Sequence, residues 1–344
     1  MFKSIEIERF RGIRHANIEG FKQINLFFGK NNCGKSSLLE SLFLVSGLSN
    51  PLLPLHVNLM RGYSKSSLND LRLNFYNQNS SHPIHICMKD GESRDLSISL
   101  FERERDDISL NKESSNILSN IEEGKYGLRF DFKIDEKPYE SQLLFDSSDL
   151  ARAKRVISDQ YTESLRCTYL SPKYDFSASI QGLKNIIHNK DEHFIIEGLQ
   201  LVEPQVKDFT FTDNEMLVDI GMAKRMPVNM MGDGARKIVS LLTAIYDCKD
   251  GALLIDEISN GFHYSVMCAL WKVLISAAIR NNTQLFVTTH DIDSIKGLRD
   301  AALNGYGDIV ASFKLIKTND GELKSYHYSI DSLDYSINQE IEMR

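Results

Sequence analysis

Over residues 2–9, apolar Phe2, Ile5 and Ile7 alternate with polar Lys3, Glu6 and Glu8, the period of a strand with one face in solvent. Phe10-Arg11-Gly12-Ile13 leads to a second short strand around Ala16-Asn17-Ile18, and Glu19-Gly20 marks a turn. Gln23-Ile24-Asn25-Leu26-Phe27-Phe28 is apolar enough to be a buried strand, and residues 38–45 carry a helix pattern. Ser49-Asn50-Pro51 ends that helix, and Pro54 argues against quick resumption. Residues 64–76 read as a helix on Leu68, Leu71, Leu73 and Phe75. From Pro83 the period drops to two across 84–88, 96–101 and 126–132, so 83–146 reads as an antiparallel β lobe. The polar stretch 102–123 between those strands reads as a solvated hairpin or loop.

Helices are expected over 148–165 and 178–202, with a strand at Thr168-Tyr169-Leu170 between them and a break at Glu203-Pro204. Short strands follow at 206–212 and 216–220, then a helix over 232–246 and a buried strand at 252–255. A long helix over 264–280, a strand at 284–289, a helix over 292–303 and strands at 308–317 and 322–328 complete the pattern. Strands alternating with helices predict an α/β fold with a mostly parallel sheet. The expected division is a core from 1–50 and 205–344, with 51–204 inserted, β-rich over 83–146 and helical over 148–202.

Between the strand at 23–28 and the helix that follows lies Gly29-Lys30-Asn31-Asn32-Cys33-Gly34-Lys35-Ser36-Ser37. Four residues separate Gly29 from Gly34, and Lys35 and Ser36 follow, which is P-loop spacing in its strand–loop–helix context. Backbone N–H groups around Asn32 to Ser36 can wrap an anion at the positive end of a helix. Lys35 is placed to reach the β- and γ-phosphates, and the Ser36 hydroxyl to ligate Mg²⁺.

Three further stretches bear on that site. The strand Ala252-Leu253-Leu254-Ile255 ends in Asp256-Glu257, and in an open α/β sheet ligands sit at the carboxyl ends of strands. Beside a P-loop, Asp256 can hold the water shell of a Mg²⁺ ion and Glu257 can polarise an attacking water. Alone, the pair reads equally well as an acidic helix cap. His290 closes the strand at 284–289 beside Asp291. A lone His is usually structural, but this one is placed to hydrogen-bond a γ-phosphate. Met231-Gly232-Asp233-Gly234-Ala235-Arg236 opens a helix and is either a second anion-binding helix N-terminus or a plain cap.

Composition narrows the classes. The chain has 344 residues, 42% hydrophobic and 25% charged, with a net charge of -7. An acidic balance argues against broad nucleic-acid coating, although a local basic groove stays possible. The five cysteines form no CxxC pair, which points to buried thiols in a reducing compartment. No apolar run reaches membrane-spanning length, so a soluble cytoplasmic protein without a membrane partner is expected.

The order of P-loop, inserted lobe, glycine signature, acidic strand and strand-terminal His resembles the ABC-type ATPase heads of the SMC–RecF–OLD group. Within that group it is most similar to compact AAA-family ATP-binding proteins found in bacterial anti-phage and abortive-infection operons. The matching stretches are Ile7-Glu8-Arg9-Phe10-Arg11-Gly12-Ile13, the P-loop, Met231 to Gly234, Leu254 to Tyr264, Thr288-Thr289-His290, and 332–344. The resemblance implies a P-loop NTPase with an ABC-type head that uses ATP and Mg²⁺. It implies a homodimer or higher homo-oligomer, with Met231, Gly232, Asp233, Gly234 and Arg236 facing the partner's γ-phosphate. It also implies that Arg11 lies near the nucleotide and that a separate effector, a nuclease or toxin, is controlled. Ser259 stands where many relatives carry a second acid, and Gln78 is the candidate for the glutamine loop of such heads. The chain shows neither a Toprim acidic cluster nor long heptads. Two competing expectations are an ATP-bound scaffold or sensor with little turnover, and a RecF-like DNA-repair factor.

Overall fold

The structure is a computed structural model. It describes all residues except 64–67, 90–92, 103–125, 146–152, 159, 173–175, 213–214, 304 and 340–344. The polar 103–123 stretch and the last five residues of the 332–344 match therefore lie outside the described residues.

The first strands are β1 (Ser4–Phe10), β2 (Ile13–Glu19) and β3 (Ile24–Phe28), followed by helices α1 (Lys35–Ser46), α2 (Leu53–Met60) and α3 (Leu68–Arg72). Strands β4 (Ile84–Lys89), β5 (Ser93–Glu102), β6 (Tyr126–Ile134), β7 (Lys137–Phe145), β8 (Lys154–Val156) and β9 (Cys167–Leu170) come next. Helices α4 (Ile180–His188) and α5 (His193–Leu199) precede β10 (Asp208–Thr212), β11 (Glu215–Asp219) and β12 (Met226–Pro227). The chain continues through α6 (Asp233–Asp247), β13 (Ala252–Ile255), α7 (Met267–Arg280), β14 (Gln284–Thr289) and α8 (Ile292–Ala302). It closes with β15 (Val310–Lys317), β16 (Glu322–Tyr328) and α9 (Ile330–Asn338).

Thirteen of these strands form one mixed sheet, in the order β8-β7-β6-β5-β4-β1-β2-β16-β15-β3-β14-β13-β9. Its parallel block is β15-β3-β14-β13-β9, and the β4 to β8 hairpins extend it on the far side of β1. Strands β10 to β12 form a separate three-stranded sheet.

The central strands read as continuous apolar runs because both of their faces are covered. Ile24, Leu26 and Phe28 of β3 pack with Leu285 and Val287 of β14 into a core that includes α6, α7 and α8. Phe27 and Phe286 point the other way, into a core shared with α1 and the antiparallel strands. The start of the chain is tied to β14 by the buried Gln284 side chain. It accepts from the Phe2 amide at 2.7 Å and donates to the carbonyls of Phe2 at 2.9 Å and Lys22 at 2.7 Å.

Several local expectations need correction. The helix expected over 148–165 is absent among the described residues. Lys154–Val156 is instead a strand paired to β7, and 161–166 has no regular structure. Tertiary partners outweigh propensity here: the Glu163 carboxylate accepts from Arg94 at 2.8 and 2.9 Å and from the Leu48 and Leu165 amides. Pro54 does not delay the next helix. It sits in the first turn of α2, where its missing N–H has no partner to lose. Among the described residues the helix expected over 64–76 covers Leu68–Arg72 and ends there, because Phe75 forms a β-bridge with Phe10 and a 3₁₀ turn follows at Tyr76–Gln78. The 178–202 pattern divides into α4 and α5, with Lys190 between them at φ 60°. Strand β9, inside the 51–204 segment, pairs with β13 in the parallel block.

Candidate functional site

Parallel pairing brings the carboxyl ends of β3, β14, β13 and β9 to one edge of the sheet. The loops that leave this edge hold Gly29 to Gly34, Asp256-Glu257, His290 and Ser171. The P-loop backbone needs its glycines. Gly29 has φ 150°, and a Cβ there would lie 2.5 Å from the Leu315 carbonyl oxygen. Gly34 caps α1 in the left-handed region at φ 105°, and Asn32 has φ 62°. Lys30, Asn31 and Asn32 are exposed, whereas Cys33 is buried and its thiol is pushed up by desolvation.

Lys35 is buried and donates to the carbonyls of Gly29 and Lys30 at 3.1 and 3.2 Å, with its Nζ 3.8 Å from Glu257 Oε1. The other Glu257 oxygen lies 2.6 Å from His290 Nδ1. Glu257 thus stands between the P-loop lysine and the strand-terminal histidine. Its backbone is left-handed, φ 54°, at a residue with a Cβ. Such a conformation persists only where neighbours over-determine it.

The adjoining Asp256 is buried, and both of its carboxylate oxygens are held. Thr288 Oγ1 donates to Oδ1 at 2.6 Å, and the Tyr169 hydroxyl to Oδ2 at 3.1 Å. Thr288 Oγ1 also accepts from the Glu257 amide at 2.9 Å, so one hydroxyl orients both acids. Burial, then the charges of Asp256 and Glu40, raise the Tyr169 phenol well above its ordinary value and keep it a donor.

Asp256 lines an open cleft of about 640 Å³ with Ser36, Asn32 and Gly34, and Ser37 also faces it. The hydroxyl and carboxylate oxygens of Ser36 and Asp256 are the hard donors a Mg²⁺ ion prefers, so the residues fit such an ion. Arg11 lines the same cleft. Its guanidinium is paired to buried Glu40 at 2.5 Å and to Asn58 at 3.0 Å, and burial lowers its pKa. Gln78 lines the cleft as well, and it follows Asn77 in a pair of left-handed residues at φ 51° and 58°.

Met231, Gly232, Asp233, Gly234 and Arg236 are not brought to this cleft. They sit at the start of α6, where Asp233 and Arg236 line a second pocket of about 290 Å³ with Lys237, Asn260 and Gly261. Asp233 and Arg236 pair with each other across one turn.

Sequence reasoning missed Arg61, Tyr169, Thr288 and Lys237. Arg61 holds Glu40 through two contacts at 2.6 and 3.2 Å. Thr288 and Tyr169 lie in strands that the hydrophobic pattern located, but their roles depend on which strands are neighbours. Lys237 directly follows the signature, and only its burial sets it apart.

A P-loop and an acid pair on parallel strand ends, beside a strand-terminal histidine, define a P-loop ATPase. Residues 1–151 match the family described as AAA ATPase domain, and 168–295 the family described as AAA domain, putative AbiEii toxin, Type IV TA system. An ATP/GTP phosphatase of Helicobacter pylori is 24% identical over 329 residues, covering 86% of this chain and 87% of that protein. The DNA replication and repair protein RecF of Ruminiclostridium cellulolyticum is 26% identical over 110 residues, 32% of this chain and 26% of RecF. An SMC head solved with the C-terminal winged-helix domain of ScpA superposes with a TM-score of 0.54 at 11% identity, over 97% of this chain and 99% of that one. Two separate stretches of the chain match AAA domains, the chain is an ATPase, and its fold is like that of an SMC head. Among the described residues no helix is long and apolar enough to cross a membrane.

Proposed function

We propose that the chain is a Mg²⁺-dependent ATP-hydrolysing switch whose ATP-bound form pairs with a second copy and controls a separate effector, a nuclease or toxin, in anti-phage defence. The contact of Glu257 with both Lys35 and His290 at the mouth of the P-loop carries this reading. In it Lys35 and the P-loop amides bind the phosphates, and Glu257 takes the proton of the attacking water. His290 orients that carboxylate and reaches the γ-phosphate. Ser36 and Asp256 hold the Mg²⁺, which when bound neutralises phosphate charge, and Gln78 faces the same space.

Separation of the Gly232 to Arg236 signature from its own P-loop cleft supports a site completed by a second copy, and exposed Met230 and Tyr264 lie next to the signature and its facing loop. The effector role draws on the name of the toxin–antitoxin family that 168–295 match. The partial RecF match favours a second reading, DNA binding on the head, which predicts salt-sensitive affinity for duplex DNA.

The test is ATP turnover of the purified chain as a function of its concentration. Specific activity is expected to rise with concentration and to fall by about 100-fold or more in Glu257→Gln. Turnover preserved in Glu257→Gln removes the assigned base. ATP binding without turnover in the wild type replaces the switch with a scaffold.

A further inference from the structure

We propose that Lys237 is a positioning residue that links the Gly232–Arg236 signature to the loop carrying Glu257, so that contact at the signature sets the catalytic carboxylate of the same chain. The proposal rests on the reading of Glu257 as the base. Lys237 lies in the second turn of α6, immediately after the signature, and is 6% exposed. Its Nζ donates to three carbonyls of one short loop: Glu257 at 3.0 Å, Ile258 at 2.9 Å and Asn260 at 2.7 Å. Those three bonds use all the N–H donors of an ammonium group. The Phe262 ring lies 5.4 Å from the same Nζ.

This is a costly way to fill space. Burial pulls the Lys237 pKa down to about 8, against the nearby charges of Glu257 and Asp256. An apolar side chain would avoid that penalty but could not fix three carbonyls. What the three bonds fix is the strained point of the site. Glu257 holds φ 54°, its amide is held by Thr288 and its carbonyl by Lys237, so the peptides on both sides of the catalytic residue are clamped.

A second contact joins the same two segments. Gly234 sits where a Cβ would meet the Gly261 carbonyl oxygen at 3.3 Å, and a Cβ on Gly261 would meet Asp233 Cβ at 3.8 Å. Signature and loop therefore both line the 290 Å³ pocket, as does Lys237. A phosphate or partner group that shifts the start of α6 moves Lys237 with it, and the loop follows because its carbonyls are bonded to Nζ.

The test compares Lys237→Met, Glu257→Gln and the double variant, with kcat, KM for ATP and the affinity for a fluorescent ATP analogue measured for each. Lys237→Met is expected to lower kcat by about tenfold or more, to leave ATP affinity within about twofold, and to add almost nothing in the Glu257→Gln background. Lys237→Arg should recover part of the loss. An unchanged kcat in Lys237→Met, or an equal further loss in the Glu257→Gln background, overturns the proposal. Full activity of Glu257→Gln instead overturns the reading of the base. Should Lys237→Met fail to fold, amide exchange in Glu257→Gln decides: ATP is expected to slow exchange at 257–262, and unchanged exchange overturns the link.

Discussion

Thr288→Val removes one hydroxyl and keeps the shape of the side chain, and that hydroxyl is the joint between the two acids. Thr288 is fully buried. Its Oγ1 donates to the Asp256 carboxylate at 2.6 Å and accepts from the Glu257 amide at 2.9 Å. A hydrogen bond to a charged group is worth about 1.5–3 kcal/mol, and a buried amide left without a partner costs about 1–3 kcal/mol. The variant is therefore expected to lose about 3–5 kcal/mol of stability, a large share of a net stability of about 5–15 kcal/mol. Thr288→Ser keeps both bonds and loses a methyl group, for about 1 kcal/mol. Urea unfolding of the three proteins measures the difference. Hydrolysis by Thr288→Val should also fall, because Glu257 and Asp256 each lose an orienting contact. A Thr288→Val protein within about 1 kcal/mol of wild type, and no less stable than Thr288→Ser, would refute the reasoning.

Glu40→Ala should cost about 3–5 kcal/mol in urea unfolding, since it strands the buried Arg11 guanidinium now 2.5 Å away. Arg61→Ala should cost under about 1 kcal/mol, because that arginine is 38% exposed. Asp256→Asn is expected to raise the Mg²⁺ concentration for half-maximal hydrolysis by about tenfold or more; an unchanged Mg²⁺ requirement removes Asp256 from the metal site. The Asp95 carboxylate accepts from His85 Nε2 at 3.0 Å and raises the His85 pKa. That pair stabilises the fold below the ordinary His value and the contribution is lost as pH rises through the raised one. Asp95→Asn should lower the His85 titration midpoint by NMR, and a constant midpoint would show that the bond is not made in solution.

The centre of the parallel core was legible because β3, β13 and β14 are buried on both faces and lead into chemically marked residues. Ala252–Ile255 and Gln284–Thr289 occupy the spans that the apolar runs define. The polar ends of the same strands announce Asp256, Glu257 and His290. What stayed hidden is whatever depends on neighbours distant in sequence. Residues 148–165 read as helical, yet among the described residues Lys154–Val156 pair with β7 and Glu163 is held by Arg94. The period-2 strands were visible, but not their fusion with the core sheet, which rests on the pairing of Ile7 with Ile86 across β1 and β4. Arg61 and Tyr169 carry no motif, and the stretch Thr288-Thr289-His290 does not mark the role of its first residue. Each acquires its role from a buried acid that another segment delivers.

The position of β3 also governs how the protein can be made. Its two sheet neighbours are β14 and β15, at Gln284–Thr289 and Val310–Lys317, and Phe2 is tied to Gln284 across 282 positions. During synthesis the P-loop strand emerges from the ribosome well before β14 and β15, and has neither sheet neighbour until they follow. Pairings of such long range are slow to close and leave sticky edges open meanwhile. The P-loop strand is thus completed only when β14 is in place, and a chain truncated before Gln284 is expected to lose ATP binding.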